Sequence, residues 1–151
     1  MKKRTLMIVC GALLVGALGW TALSALSSRD SSISVPLWRQ IKKGTDTTVD
    51  FATIAPFAWD RVFIFGPYTS SQEVDRRLGF HWSEYWQTNI DKFEGYNLVL
   101  FVREAKVARW FEHPRNQGEL EGLAEAKNGF ARGDAKFRVQ RTSDGRLALG
   151  R

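Results

Sequence analysis

Two histidines, sixteen acidic side chains and one cysteine are the groups through which this chain could do chemistry. His81 and Glu84 stand three apart and can share a helix face, whereas His113 ends a predicted strand far along the chain. A zinc site needs three or four converging ligands, and no compact spacing of His, Asp or Glu supplies them. Asp60, Glu84, Asp91, Glu94, Glu104 and Glu112 could furnish the carboxylate pair of a glycoside hydrolase, but any domain of this size offers such pairs. Ser70 and Ser71 follow Gly66-Pro67 without making a G-x-S-x-G elbow, and neither a phosphate loop nor a dinucleotide fingerprint is present. Arg132-Gly133-Asp134 spells an adhesion tripeptide, which a turn between a helix and a strand can produce by accident. The expectation is therefore no catalytic residue, no metal site and no cofactor.

Aromatic side chains are the richer signal. Trp82, Tyr85, Trp86 and Phe93 crowd one connector, and Tyr68 follows a Gly66-Pro67 turn. Packing into a core accounts for many such rings, yet tryptophan and tyrosine also concentrate at binding surfaces. Asp60 and His81 would add polar groups at the rim. Asp60, Tyr68, His81, Trp82, Tyr85 and Trp86 thus form the candidate site for a ligand or partner.

The elements that must position these residues can be read from pattern. Thr48–Phe51 reads as a first strand, and Val62 to Phe65 is an apolar, β-branched and aromatic run suited to a central strand. Ser70 with Glu73 makes a capping box for a short helix that Gly79 stops. Asn97–Arg103 and Lys106–Glu112 form a hairpin about Glu104-Ala105, and a second hairpin turns at Ser143-Asp144-Gly145. Glu119–Lys127 is helix-prone. The expectation is an α+β domain with a small, mostly antiparallel sheet and two short helices, over residues 48–151.

Ahead of that domain, Lys2-Lys3-Arg4 precedes an uncharged, mainly apolar run from Thr5 to Ser28. As a helix those residues would reach roughly 36 Å, enough for a hydrocarbon core of about 30 Å. The basic start keeps the N-terminus in the cytoplasm and sends the rest across the membrane. Residues 1–28 are thus expected to be a transmembrane anchor, with membrane contact through residues 5–28. Ala22-Leu23-Ser24 and Ala25-Leu26-Ser27 leave open a cleaved signal, hence a secreted or periplasmic form. Cys10 follows Val9 and has Met7 three positions before it, so it does not read as a lipoprotein acylation site. Residues 29–47, rich in serine and broken by Pro36, read as a polar tether.

Composition narrows the rest. Cys10 is the only cysteine, so the exported part has no disulfide and must stand on its core. Half of the net charge of +6 belongs to residues 1–30, and only residues 132–151 are markedly basic. Nucleic acid is not expected as a partner on the far side of a membrane.

The segment Trp59-Asp60-Arg61-Val62-Phe63-Ile64-Phe65-Gly66-Pro67-Tyr68-Thr69, followed by a helix ending in Leu78-Gly79, resembles a W-D-x-V-x-x-F-G-P-Y-T pattern. That pattern belongs to small, uncharacterised bacterial membrane-anchored proteins and lipoproteins. The resemblance covers about twenty residues; it implies a bacterial envelope location and brings no activity with it. Three functions follow as expectations: a non-catalytic binding or interaction module tethered in the envelope, contacting an envelope protein or polysaccharide; an immunity or inhibitor protein against an envelope-acting toxin; and a carboxylate-dependent envelope hydrolase.

Overall fold

The computed structural model describes residues 30–151; the expected membrane span lies outside the described residues. Among the described residues no helix is long and apolar enough to cross a membrane.

The chain from Asp30 onward is folded, which corrects the tether expected over residues 29–47. Helix α1 (Ser31–Ile41) is capped by the Asp30 carboxylate, which accepts from the Ser32 N–H at 3.0 Å. Ile33, Leu37 and Ile41 recur at four-residue spacing and are buried. Pro36 costs a helix interior about 3 kcal/mol, but three buried aliphatic side chains return roughly 1.5–3 kcal/mol each. Apolar periodicity wins over the serine-rich composition.

Two antiparallel sheets follow, where one was expected. Strand β1 (Thr48–Asp50), β6 (Lys136–Arg141) and β7 (Leu147–Gly150) make a three-stranded sheet in the order β1-β6-β7. Strands β2 (Arg61–Phe65), β3 (Tyr96–Arg103), β4 (Lys106–Pro114) and β5 (Phe130–Ala131) make a four-stranded sheet in the order β4-β3-β2-β5. The remaining helices are α2 (Phe51–Ile54) and α3 (Ser71–Leu78). The fold is α+β, with three α-helices among the described residues and not two.

β2 is the central strand that its apolar run anticipates, buried on both faces. Val62 and Ile64 point to an inner core shared with the three-stranded sheet, α1 and α2. Phe63 and Phe65 point to an outer core closed by Val74 of α3, Trp82 and Ile90. This alternation is the two-residue period of a strand. Gly129 lets β5 approach β2, since a Cβ there would stand 2.6 Å from the Val62 carbonyl oxygen.

The β3–β4 hairpin turns at Glu104 and Ala105, both with positive φ (50° and 59°), as a tight primed turn requires. Glu119–Lys127 does not form the expected helix. Only Glu121–Leu123 makes a 3-10 turn, because Glu119 pairs its backbone with Leu147 and Leu149 of β7. Its side chain meanwhile accepts from Arg115 at 2.7 Å and from Arg146 at 3.3 Å.

Candidate binding site

The chain leaving β2 turns through Gly66, Pro67, Tyr68 and Thr69. Pro67 presets the second position, and Tyr68 occupies the third with φ +63°, a backbone conformation that favours glycine. The turn holds because Thr69 Oγ1 donates to the Gly66 carbonyl at 2.7 Å and the Tyr68 N–H donates to the Ile90 carbonyl at 2.6 Å. Ile90 is fully buried, so the turn is stitched to the outer core. Tyr68 nevertheless remains 62 % exposed.

Facing that turn is the connector from Phe80 to Gly95. It has one 3-10 turn (Tyr85–Gln87) and otherwise depends on side-chain anchors. Asp75 of α3 accepts from the Trp82 N–H at 2.9 Å and meets the His81 ring at 2.6 Å. Partial burial would raise the Asp75 carboxyl, but these hydrogen bonds hold it below its ordinary value. Trp82 is buried edge-on against Trp110, and the Trp110 indole donates to Glu84 at 3.2 Å. Tyr85 donates its hydroxyl to the Thr69 carbonyl at 2.5 Å; burial, aided by the charge of Asp91, pushes its pKa up to about 12. Glu112 of β4, itself buried, receives the Asn89 backbone N–H at 2.5 Å and the Asn89 side-chain amide at 3.3 Å.

These anchors leave two rings of the connector outside. Trp86 is 76 % exposed and Phe93 55 % exposed. With Tyr68 and the smaller Val35 of α1, they are the exposed large hydrophobic side chains among the described residues. Tyr68, Trp86 and Phe93 therefore stand on two segments, the turn after β2 and the connector, that are hydrogen-bonded to each other at one corner. Its exposed charged neighbours are Glu84, Asp91 and Glu94, with Lys92. Stacking rings with acceptors beside them can hold the apolar face of a sugar or a cationic, aromatic-seeking side chain.

The six residues expected to form the site separate into three groups. Tyr68 and Trp86 stand at the corner. Trp82 and Tyr85 support it from beneath: Trp82 is core, and Tyr85 is half-buried with its hydroxyl engaged. Asp60 is not at the corner. It precedes β2, a strand of roughly 17 Å, while Tyr68 follows it, and its carboxylate accepts from the Glu104 N–H at 3.0 Å to clasp the β3–β4 hairpin. His81 is exposed but turned to α3 through Asp75. Phe93 was missing from the expected set; its signal is a lone ring between Lys92 and Glu94, with no apolar neighbour on either side.

Elsewhere the candidate chemistry is absorbed by structure. Among the described residues no group of three His, Cys, Asp or Glu side chains could hold a metal ion. Arg132 stacks on Trp59 and donates to the Phe57 carbonyl at 2.8 Å, which removes it from any adhesive tripeptide. An open cleft of about 550 Å³ lies between Gly122–Phe130 and Gln140, Leu149 and Arg151. None of the six expected site residues lines it.

His113 lies fully buried on the inner face, opposite Asn97 in the strand register. No hydrogen bond of good geometry reaches either of its ring nitrogens or the Asn97 side-chain nitrogen. Burial pulls its pKa down to about 4, against smaller raising contributions from the Gly118 backbone, the Glu119 charge and the Gln117 backbone.

Comparison with protein-family models, with curated proteins and with solved structures finds no match for this chain.

Proposed function

We propose that this chain is a membrane-tethered protein of the bacterial envelope whose domain is a non-catalytic binding module, with Tyr68, Trp86 and Phe93 as its contact residues. The observation that carries the reading is Tyr68. A non-glycine residue with φ +63° in a turn normally given to glycine is held against a local cost, and here the ring it displays is mostly solvent-exposed. An exposed ring at such a position supports a role in contact. The basic start and apolar run of residues 2–28 support the tether, and the W-D-x-V-x-x-F-G-P-Y-T resemblance supports the envelope.

The ligand class is an envelope polysaccharide, whose sugar faces would stack on the three rings. Wild-type protein should co-sediment with purified bacterial wall sacculi. Trp86→Ala and Tyr68→Ala should each lower that retention by about tenfold, as the loss of one well-packed aromatic contact would. Their melting temperatures should stay within a few degrees of wild type. Undiminished retention in both variants would remove the corner from the binding surface.

The surrounding Glu84, Asp91 and Glu94 favour a second reading, a cationic protein partner of the kind an immunity or inhibitor protein neutralises. Retention would then be absent on sacculi, and association with a basic protein partner would weaken steeply with salt.

A further inference from the structure

The markedly basic segment 132–151 spends most of its charge inside the fold. Arg132 donates to the Phe57 carbonyl at 2.8 Å, and Lys136 lies 3.5 Å from Asp50. Arg141 donates to the Gly145 carbonyl at 2.9 Å, and Arg146 pairs with Asp144 at 2.7 Å and with Glu119 at 3.3 Å. Arg138 and Arg151 remain. Among the described residues neither forms an ion pair with a carboxylate. The Arg151 guanidinium lies instead over the Phe130 ring, 5.0 Å from its centroid. Arg138 stands opposite Gly150 in the strand register. Both cations therefore belong to the end of β7, which borders the open cleft of about 550 Å³. That volume falls within the range of small-ligand sites.

The opposite wall of the cleft is fixed before any ligand arrives. The carbonyls of Ala126 and Lys127 accept from Arg77 at 2.8 and 3.4 Å, and that of Asn128 accepts from Arg61 at 2.7 Å. Gly129 holds φ +61° where bulk would collide with β2. A wall held this way needs little ordering when a ligand binds. The exposed side chains of Lys127 and Asn128 line the cleft and have no hydrogen-bond partner among the described residues. Across from them the Gln140 amide occupies the room that glycine at position 150 leaves, and it too is unpartnered among the described residues. Buried Leu123, Phe130 and Leu149 supply the apolar lining, and Glu125 supplies its one acidic side chain.

We propose that this cleft is a binding site for an acidic sugar, one or two rings bearing a carboxylate. Lys127 and Arg151 in its lining and Arg138 beside it face only Glu125, three cations against one carboxylate. That balance selects an anion. A guanidinium fork matches the two oxygens of a carboxylate. Asn128 and Gln140 each offer an amide donor and an amide acceptor, as ring hydroxyls require, since they both donate and accept. A bare inorganic anion would leave those amides unused, and an apolar ligand would desolvate the cations without pairing them. Arg151 covers the Phe130 ring, so recognition here rests on charge and hydrogen bonds and not on stacking. The site is independent of the aromatic corner and stands whether or not that corner holds a polysaccharide.

The test titrates the isotope-labelled full chain, in a zwitterionic detergent without sugar head groups, and follows its backbone-amide resonances. The probes are digalacturonate, its neutral counterpart galactobiose, and inorganic phosphate. Digalacturonate should shift the amides of Gly122, Gly129 and Gly150 saturably, with an affinity about tenfold or more above that of galactobiose. Raising the salt from about 0.05 M to about 0.5 M should weaken it several-fold. Lys127 and Arg151 are both exposed, so Lys127→Ala and Arg151→Ala should keep a folded spectrum while each weakening binding by about fivefold. Equal affinity for the two disaccharides overturns the charge recognition. Phosphate shifting the same amides as strongly overturns the sugar and leaves a plain anion site. Shifts confined to Tyr68 and residues 80–95 overturn the cleft while supporting the aromatic corner, and no saturable shift at any amide overturns the cleft outright.

Discussion

The two faces of the four-stranded sheet are both aromatic, and they use their rings in opposite ways. On the inner face Phe101 touches Phe51, Phe57, Trp59 and Phe111 at centroid distances of 5.1–6.4 Å. Phe137 adds edge contacts to Phe51 and Phe130. A second sheet and two helices close over this cluster, so its rings are held by regular elements on both sides. The outer face is covered by one eight-residue helix and by a connector with little regular structure. There Phe63, Phe65, Trp82 and Trp110 are packed, but the connector stays in place through carboxylates and hydroxyls: Asp75, Glu84, Glu112 and Tyr85. A connector anchored by polar side chains need not bury every ring it carries. That is why Trp86 and Phe93 can stay outside here, while no large ring of the inner layer does. Density of aromatics does not separate core from surface in this chain. Nor does the kind of element alone: Trp82 is buried on the same connector that leaves Trp86 outside.

The comparison can be broken first at its strongest point. Phe101→Ala should cost about 3–5 kcal/mol, because four rings lose their common partner and two packed sheets cannot collapse into the hole. Urea denaturation measures it. A loss below about 1 kcal/mol would mean that the inner face is no tighter than the outer one.

Next in size is an acid sensitivity confined to the inner face. His113 is held neutral with a folded pKa of about 4, against about 6.5 in an unfolded chain. Above pH 6.5 both states are neutral and the fold keeps its full stability. As pH falls from 6.5 to 4 the unfolded chain takes up a proton that the folded one refuses, so stability declines by about 3 kcal/mol in total. Below pH 4 this group contributes no further loss. Urea midpoints of wild type between pH 7.5 and 4.5 should fall, and His113→Leu should flatten the part of the slope centred on pH 5–6. An unchanged slope in that variant would assign the acid sensitivity to the carboxylates.

Much of this layout was legible beforehand because it rests on local chemistry. The Ser70–Glu73 cap appears as the Ser70 hydroxyl accepting the Glu73 N–H at 3.3 Å, and Gly79 ends α3 in a left-handed conformation. Val62 to Phe65 announces a strand buried on both faces, and Ser143-Asp144-Gly145 announces the last hairpin. The misreadings came where distant contacts decide. In residues 29–47 Pro36 and three serines point to a tether and Ile33, Leu37 and Ile41 to a helix, and nothing local says that a core awaits those three side chains. The Glu119–Lys127 helix failed because β7, some thirty residues on, takes the Glu119 backbone. Of the candidate site, Tyr68 and Trp86 were in the expected set, and the structure leaves both exposed at one corner. Asp60 was not separable from them by sequence, because both ends of a five-residue strand look equally near.

The smallest expected effect is the sharpest on the outer face, and it turns on the sign of a glycine substitution. Tyr68 holds φ +63°, where a Cβ carries a penalty of about 1–2 kcal/mol and glycine carries none. If the exposed ring contributes little packing, Tyr68→Gly should match wild-type stability or exceed it by up to about 1 kcal/mol, and Tyr68→Ala should fall about 1 kcal/mol below Tyr68→Gly. Both variants lose the ring, so both should lose ligand retention equally. A chain that becomes no less stable while its binding disappears keeps a strained tyrosine for contact and not for folding. Tyr68→Gly falling more than about 2 kcal/mol below wild type would instead place the ring in the outer core. The difference between the two faces would then be one of degree, with Trp86 and Phe93 alone left at the surface.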